Sequence, residues 1–280
     1  MIPQIFDRRT YAMRRARGGE SFLVREAAMG LADRLAPVTR HFQNALDLSS
    51  RDESFEILKP FAANWTRTFL SGGVIIADEE ALPFPPETFD LVTSVLSLHA
   101  VNDLPGALVQ IRRALKPDGL FLAALFGGET LNELRTAFAA GESDVTGGIS
   151  PRVSPFADVR ALGALLQRAG FALPVADSER TSVRYGKFET LVADLRALGE
   201  TNALTERRRV PLSRAVLAAT LAHYSGADGK FPATFDIVYL TGWAPHESQQ
   251  KPLAPGSART RLADALGTVE KSAGEKVKEE

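Results

Sequence analysis

Residues 89–125 read FDLVTSVL, then LPGALVQIRRAL, then GLFLAAL, which is an apolar run of strand length, an amphipathic helical stretch and a second apolar run. Two buried strands joined through a helix are parallel neighbours in a sheet covered on both faces. Asp103 can cap that helix, and Lys116-Pro117-Asp118-Gly119 supplies a turn after it. The same alternation extends both ways. Upstream, residues 45–48 read as a strand, 55–63 as a helix, and 68–70 and 74–77 as short strands. Downstream, 131–138 read as a helix, 141–155 as loop, 156–169 as a helix, 175–183 as a strand, 188–198 and 214–225 as helices, and 234–243 as the closing strand. The expected fold is an α/β, Rossmann-like doubly wound sheet. It is preceded by an N-terminal helical segment over residues 1–43, fills 44–245 with a helical cover at about 128–225, and ends in a polar tail over 246–280 expected to be disordered.

Composition removes several function classes. The 280 residues carry a net charge of −1, so no global field draws the chain to nucleic acid. The absence of cysteine excludes thiolate metal sites and cysteine nucleophiles. Residues 1–9 lack the apolar core of a signal peptide, and no later run reaches the roughly 20 apolar residues of a membrane span, so a cytoplasmic protein is expected. The arginines of YAMRRAR at residues 11–17 are expected on a solvated helix face, with a surface for an acidic partner as the alternative.

Three stretches in order, ALDL at 45–48, ADEEALPFPPETFDLVTSVLSLHAVNDLPGAL at 77–108 and LKPDGLFLAALFGGETLNELR at 115–135, resemble the class I S-adenosylmethionine methyltransferase fold. Further stretches narrow the resemblance: SPRVSPF at 150–156, ALGALLQRAGF at 161–171, LGETNAL at 198–204, FPATFDIVYLTGW at 231–243 and HESQQKP at 246–252. Together they resemble the mitochondrial complex I assembly factor family, over about residues 6–257. That resemblance implies a methyltransferase fold, a link to hydroxylation of an arginine on a complex I subunit, and a bacterial relative, since bacteria carry the same respiratory enzyme. It implies S-adenosylmethionine as the cofactor and a respiratory complex subunit as the protein partner.

Against that pattern the chain departs twice. In this fold an acidic residue ends the first strand and alternating glycines follow, because glycine takes positive φ and lets the backbone approach the cofactor. Asp47 stands at the strand end, but the turn positions hold Ser49, Arg51 and Glu53. Only Ser71-Gly72-Gly73 then separates the next two apolar runs, too short for a crossover between parallel strands. The expectation is therefore that one of the runs is not a strand or that they form a tight hairpin. No acid follows Leu70 to hold a ribose. Both departures argue against cofactor binding.

What the resemblance leaves is a remnant cofactor site: Asp47 and Ser49 at the first turn, Asp78, Glu79 and Leu82 toward the adenine, and Leu96 at the end of the fourth strand. His99 on the active rim and Glu129 after the fifth strand are the catalytic candidates, each with a purely structural reading beside it. Arg152, Ser154, Tyr185 and His246 are candidates for holding a peptide substrate. An iron site from His99, Asp103 and His246 can be drawn on paper, but the spacing is not diagnostic and no metal is expected. Three functions follow: an assembly-factor enzyme acting on a protein arginine, an S-adenosylmethionine-dependent methyltransferase, or a non-catalytic protein that keeps the recognition surface.

Overall fold

The computed structural model describes residues 3–224, 226, 228–250 and 260–269. The chain forms two compact units, residues 1–246 and 247–280. In the first, α1 (Arg8–Ala16) and α2 (Phe22–Leu35) lead into β1 (Phe42–Leu48), α3 (Asp52–Leu58), β2 (Ala62–Phe69), β3 (Ile75–Ile76), β4 (Phe89–Val95), α4 (Leu104–Ala114) and β5 (Leu115–Phe126). Then come α5 (Asn132–Thr146), α6 (Val159–Arg168), β6 (Ala172–Tyr185), α7 (Phe188–Leu198), α8 (Arg214–Tyr224) and β7 (Phe231–Trp243). In the second unit the described element is α9 (Leu262–Leu266). Residues 270–280, the end of the tail expected to be disordered, lie outside the described residues. No helix among the described residues is long and apolar enough to cross a membrane.

The seven strands make one sheet in the order β3-β2-β1-β4-β5-β7-β6. β1, β4 and β5 are parallel, as the apolar runs required, and β7 enters antiparallel between β5 and β6. Because side chains alternate along a strand, β4 and β5 feed two cores. Leu91, Val95, Leu120 and Leu122 pack toward α2, α5 and α7, whereas Val92, Phe121 and Ala123 pack toward α4 and α6. This is the class I methyltransferase architecture.

Four local expectations need correction. β2 and β3 are parallel neighbours, with Thr68 opposite Ile75 and Phe69 opposite Ile76, so neither a hairpin nor a lost strand describes them. The ladder is only two residues long, and the chain steps back through residues 70–74 instead of retracing a whole strand, so no crossover helix is needed. The shortening thus falls on β3 and its link, and β2 runs for 8 residues. The helix expected at 55–63 is α3, which ends at Leu58; a 3-10 turn over Lys59–Phe61 follows and Ala62 already belongs to β2. The turn at 116–119 is an irregularity inside β5: Phe89 pairs with Leu115 but Leu91 with Leu120, and Asp118 takes φ +62.

The fourth correction concerns GESDVT, expected as loop, which continues α5 to Thr146. Packing outweighs composition here. α5 lies against α8 so closely that a Cβ on Gly141 would come within 2.5 Å of the Thr220 backbone nitrogen. Glu142, next in line, is buried and holds Ser150 and Arg152 of the following loop. An exposed helical glycine replaced by alanine gains about 1 kcal/mol. At this contact Gly141→Ala is expected instead to cost about 1–3 kcal/mol, because helix backbone must move apart. Urea unfolding monitored by circular dichroism checks the sign.

Candidate functional site

The carboxyl ends of the parallel strands form the rim at which ligands bind in open α/β sheets. In this chain α1 lies across that rim. Asp7 caps the helix, accepting from the Thr10 N–H at 3.0 Å, and thereby fixes where its arginines project. Arg15 is buried and its guanidinium donates to three carbonyl oxygens, those of Ser49 (2.9 Å), Val95 (3.1 Å) and Leu96 (2.5 Å). Arg8 donates to the Ala100 carbonyl (3.0 Å), to Asp78 (2.8 Å) and to Glu79. Arg14 reaches the Asn202 carbonyl. The basic cluster is therefore not a solvated face: Arg9 and Arg17 are exposed, but Arg8, Arg14 and Arg15 bind the rim and its cover.

The first turn has kept the shape of its glycine version without the glycines. Ser49 stands at φ +50, a left-handed conformation unfavourable for a serine, and is held there by contacts on every polar atom. Its N–H donates to Thr68 Oγ1 (3.2 Å), its hydroxyl donates to Glu79, and its carbonyl accepts from Arg15. Asp47 is 1% exposed and accepts from the Thr93 hydroxyl (3.0 Å) and the Ser50 hydroxyl. Burial pushes its pKa up to about 6, against the pull of those two hydroxyls and of the Arg67 and Arg15 charges. Neither Ser50 nor Asp52 caps α3; the cap position is Arg51, since the Ser50 hydroxyl is spent on Asp47.

On the adenine side the same filling is seen. Glu79, 1% exposed, accepts from Arg8, from Ser49 and from the Ser97 hydroxyl (2.6 Å). Asp78 is held by Arg8 and by the Glu80 N–H (3.0 Å), and despite burial these keep its pKa below the usual carboxylate value. Leu96 is buried at φ +47 with its carbonyl on Arg15, and Leu82 packs against the core with its N–H on Gln110. Each residue of the expected remnant site is thus at the rim or beside it, and its polar atoms are taken by the protein itself.

Beyond Leu96 the chain makes a 3-10 turn, Leu98–Ala100, that carries His99. Its side chain is 2% exposed, and its ring meets those of Phe126 (4.9 Å between centroids), Phe156 (5.5 Å) and Tyr11 (6.4 Å). Nε2 lies 3.1 Å from Glu200 Oε1, and Nδ1 is buried with no partner among the described residues. Glu200 also accepts from the Tyr11 hydroxyl at 2.9 Å. Burial alone would raise the Glu200 pKa, but the His99 charge and hydrogen bond, the Arg15 charge and the Tyr11 hydroxyl hold it below the usual value. Burial, and then the Glu200 charge, push the Tyr11 phenol well above its usual range, so it stays a donor.

The position of Glu200 follows from how α7 ends. Gly199 takes φ +82, the Gly199 N–H donates to Arg196 and the Glu200 N–H donates to Leu195, closing the helix with a left-handed residue. Only glycine suits Gly199: a Cβ there would also sit 2.8 Å from the Arg15 Cα. Glu200 in turn lines an apolar cavity of about 330 Å³, whose walls include Phe126, Leu134, Phe138, Phe156 and Phe188.

The candidate substrate residues divide. Arg152 and Ser154 line this cavity together with Glu200. Arg152 is paired with the buried Glu142, whose pKa is held low despite burial by Ser150 and Arg152. Tyr185 is buried at the end of β6 and donates to Asp194 (2.9 Å), outside the cavity lining. His246 follows β7, whose Trp243 pairs with Leu120 early in β5, so it lies toward the opposite end of the strands from His99. Glu129 is exposed with its carboxylate on the Asn132 amide, and it does not line the cavity. Asp103 is spent as the cap of α4. Among the described residues no three histidine or carboxylate side chains are grouped to hold a metal.

Sequence reasoning missed Arg8, Tyr11, Arg15 and Glu200. Glu200 lies in LGETNAL, one of the stretches that carried the family resemblance, and that was the available signal.

Comparison with known proteins agrees with this architecture. A family model described as a methyltransferase domain matches residues 52–123. The fold is shared with the YcgJ protein of Bacillus subtilis, at 12% identity and a TM-score of 0.54, over 79% of this chain and 99% of that one. The malonyl-[acyl-carrier protein] O-methyltransferase of Halorhodospira halophila is 36% identical over 263 residues, 85% of this chain and 86% of that protein. The mitochondrial arginine-hydroxylase NDUFAF5 of Rattus norvegicus is 41% identical over 262 residues, 87% of this chain and 76% of that protein. With identity of that level over most of both chains, this methyltransferase-fold protein belongs to the NDUFAF5 arginine-hydroxylase family.

Proposed function

We propose that the chain acts in the cytoplasm on an arginine side chain of a protein partner, a subunit of respiratory complex I, at the site formed by His99, Glu200 and the adjoining cavity, and that it does so without S-adenosylmethionine. The observation that carries this reading is a division of the rim. At the half where the fold's cofactor would lie, Arg8 and Arg15 of α1 hold Asp78, Glu79 and the Ser49 carbonyl. The cleft of about 630 Å³ left along Arg15, Ser50, Arg51, Asp52 and Glu53 is walled by charged side chains, whereas the cavity that Glu200 lines is walled by phenylalanines and leucines. The residues present do not fit the cofactor. Ser49 and Arg51 occupy the turn that would underlie its methionine part, Glu53 stands in the first turn of α3 behind it, and Glu79 is already held by Arg8, Ser49 and Ser97. The family supports the arginine, since the Rattus norvegicus relative named above is an arginine-hydroxylase.

Mass spectrometry of complex I from a deletion strain tests the substrate. One arginine of a complex I subunit is expected to lose the mass of one oxygen, regained on complementation; an unchanged mass in the deletion strain refutes the reading. Calorimetric titration with S-adenosylmethionine tests the cofactor. No heat is expected at millimolar ligand, and micromolar binding would restore the methyltransferase reading that the Halorhodospira relative represents. The filled rim also favours a second reading, a non-catalytic assembly protein. Full restoration of complex I assembly by His99→Ala and Glu200→Ala variants, with the arginine left unmodified, would establish it.

A further inference from the structure

We propose that the cavity beside Glu200 is a receptacle for one guanidinium-bearing side chain, with the aliphatic stem against the phenylalanine and leucine walls and the head on Glu200 Oε2. This rests on the functional reading above and gives it a place in the molecule. Size is the first argument. An engineered void of about 150 Å³ holds one benzene, so a cavity of about 330 Å³ has room for a single long side chain.

Charge is the second. A carboxylate in an apolar, aromatic surround must be compensated or it neutralises. Glu200 is held in its charged form, and the hydrogen bonds from Tyr11 and His99 both fall on Oε1. Oε2 therefore keeps its capacity to accept, at a wall of the cavity that Phe126 and Phe156 also form. Rings of that kind attract a cation, and a guanidinium can stack on a ring while donating to a carboxylate.

The arginines that also line the cavity do not reverse this. Arg152 is neutralised by Glu142, and Arg196 is exposed, so its charge faces solvent. The rival occupant is an acyl chain with its carboxylate on Arg196. That arrangement would set a hydrocarbon tail against a charged Glu200 and give its Oε2 no donor, a costly contact. His99 does not itself line the cavity, but its ring packs on Phe126 and Phe156, which do, and its Nε2 meets Glu200, so the polar end of the site is built around Glu200 and His99 together.

The test uses the full chain and four small probes: n-butylguanidinium, its neutral isostere N-butylurea, n-butylammonium and octanoate. Methyl NMR is expected to show n-butylguanidinium shifting Leu134, Val153 and Leu195, with N-butylurea at least about tenfold weaker, a difference of about 1.4 kcal/mol. n-Butylammonium should bind between the two, since a point cation lacks the planar fork. Glu200→Gln should bring butylguanidinium down to the urea level, and Leu134→Trp, which fills the cavity, should abolish binding of both. Equal binding of urea and guanidinium, or octanoate binding as tightly as guanidinium, overturns the proposal without recourse to any variant. The two readings fail separately. If the complex I arginine is modified as usual by Leu134→Trp, the cavity assignment is wrong and the function stands; if butylguanidinium binds as expected but deletion leaves the arginine mass unchanged, the site stands and the function falls.

Discussion

Arg15→Ala is expected to lower the unfolding free energy by about 3–5 kcal/mol, the range for removing a buried charged donor from acceptors that stay buried. The guanidinium ties the ends of β1 and β4 to the helix that covers them, binding the carbonyls of Ser49, Val95 and Leu96. Its loss leaves three carbonyls to find water at the base of α1. Arg15→Lys should recover only a fraction, because an ammonium on a flexible stem cannot satisfy acceptors spread across a planar fork. Set against a typical total of 5–15 kcal/mol, a deficit of this size is a large share. Urea unfolding at constant m-value checks it, and a loss below about 1 kcal/mol would show that α1 is held to the rim by its apolar face alone. Arg15→Ala is not expected to admit S-adenosylmethionine. Ser49 still carries its side chain at the turn, and Arg8 still holds Glu79.

What the sequence could and could not disclose follows from the kind of signal each feature leaves. β4 and β5 are continuous apolar runs and α4 an amphipathic stretch, and these patterns report burial directly, so the parallel core and its helical faces were legible. Asp47 and Ser49 were legible as the end of β1 and an altered turn, because the absence of glycine is itself a local sign. Arg15 was not. An arginine on a helix is read as solvated, and only tertiary placement converts it into a buried donor to carbonyls 34 and 81 positions away. Glu200 is hidden for a related reason: its partners Tyr11 and His99 come from segments 189 and 101 residues distant. The GESDVT stretch misled in the opposite direction. Its glycine and polar residues suggest loop, yet Gly141 is there to let α8 approach and Glu142 to hold the loop that follows.

Asp47→Asn is expected to stabilise the protein by about 2–3 kcal/mol above pH 7 and to have little effect near pH 4. Burial raises the Asp47 pKa to about 6 in the folded chain, only partly offset by the Ser50 and Thr93 hydroxyls and by the charges of Arg67 and Arg15. An unfolded aspartate titrates at about 3.9, so the native state holds the proton more tightly across this window. Stability contributed by Asp47 therefore falls as pH rises from about 4 to about 6, and above that the full penalty for ionising a buried carboxyl remains, roughly 2 pH units or about 3 kcal/mol. Asparagine is neutral throughout and nearly isosteric. Its carbonyl can accept from Thr93, and its amide can donate to the Ser50 hydroxyl, which already receives Arg67 at 2.8 Å, so part of the gain is lost to a crowded acceptor. Thermal unfolding of both proteins at several pH values between 4 and 8 should show the two converging at the acid end and separating as pH rises. A constant difference would mean that the carboxylate is compensated where it stands. A stabilising loss of the acid at the end of β1 is what a turn relieved of cofactor binding predicts, because the charge then has no ligand to meet and only its burial cost persists.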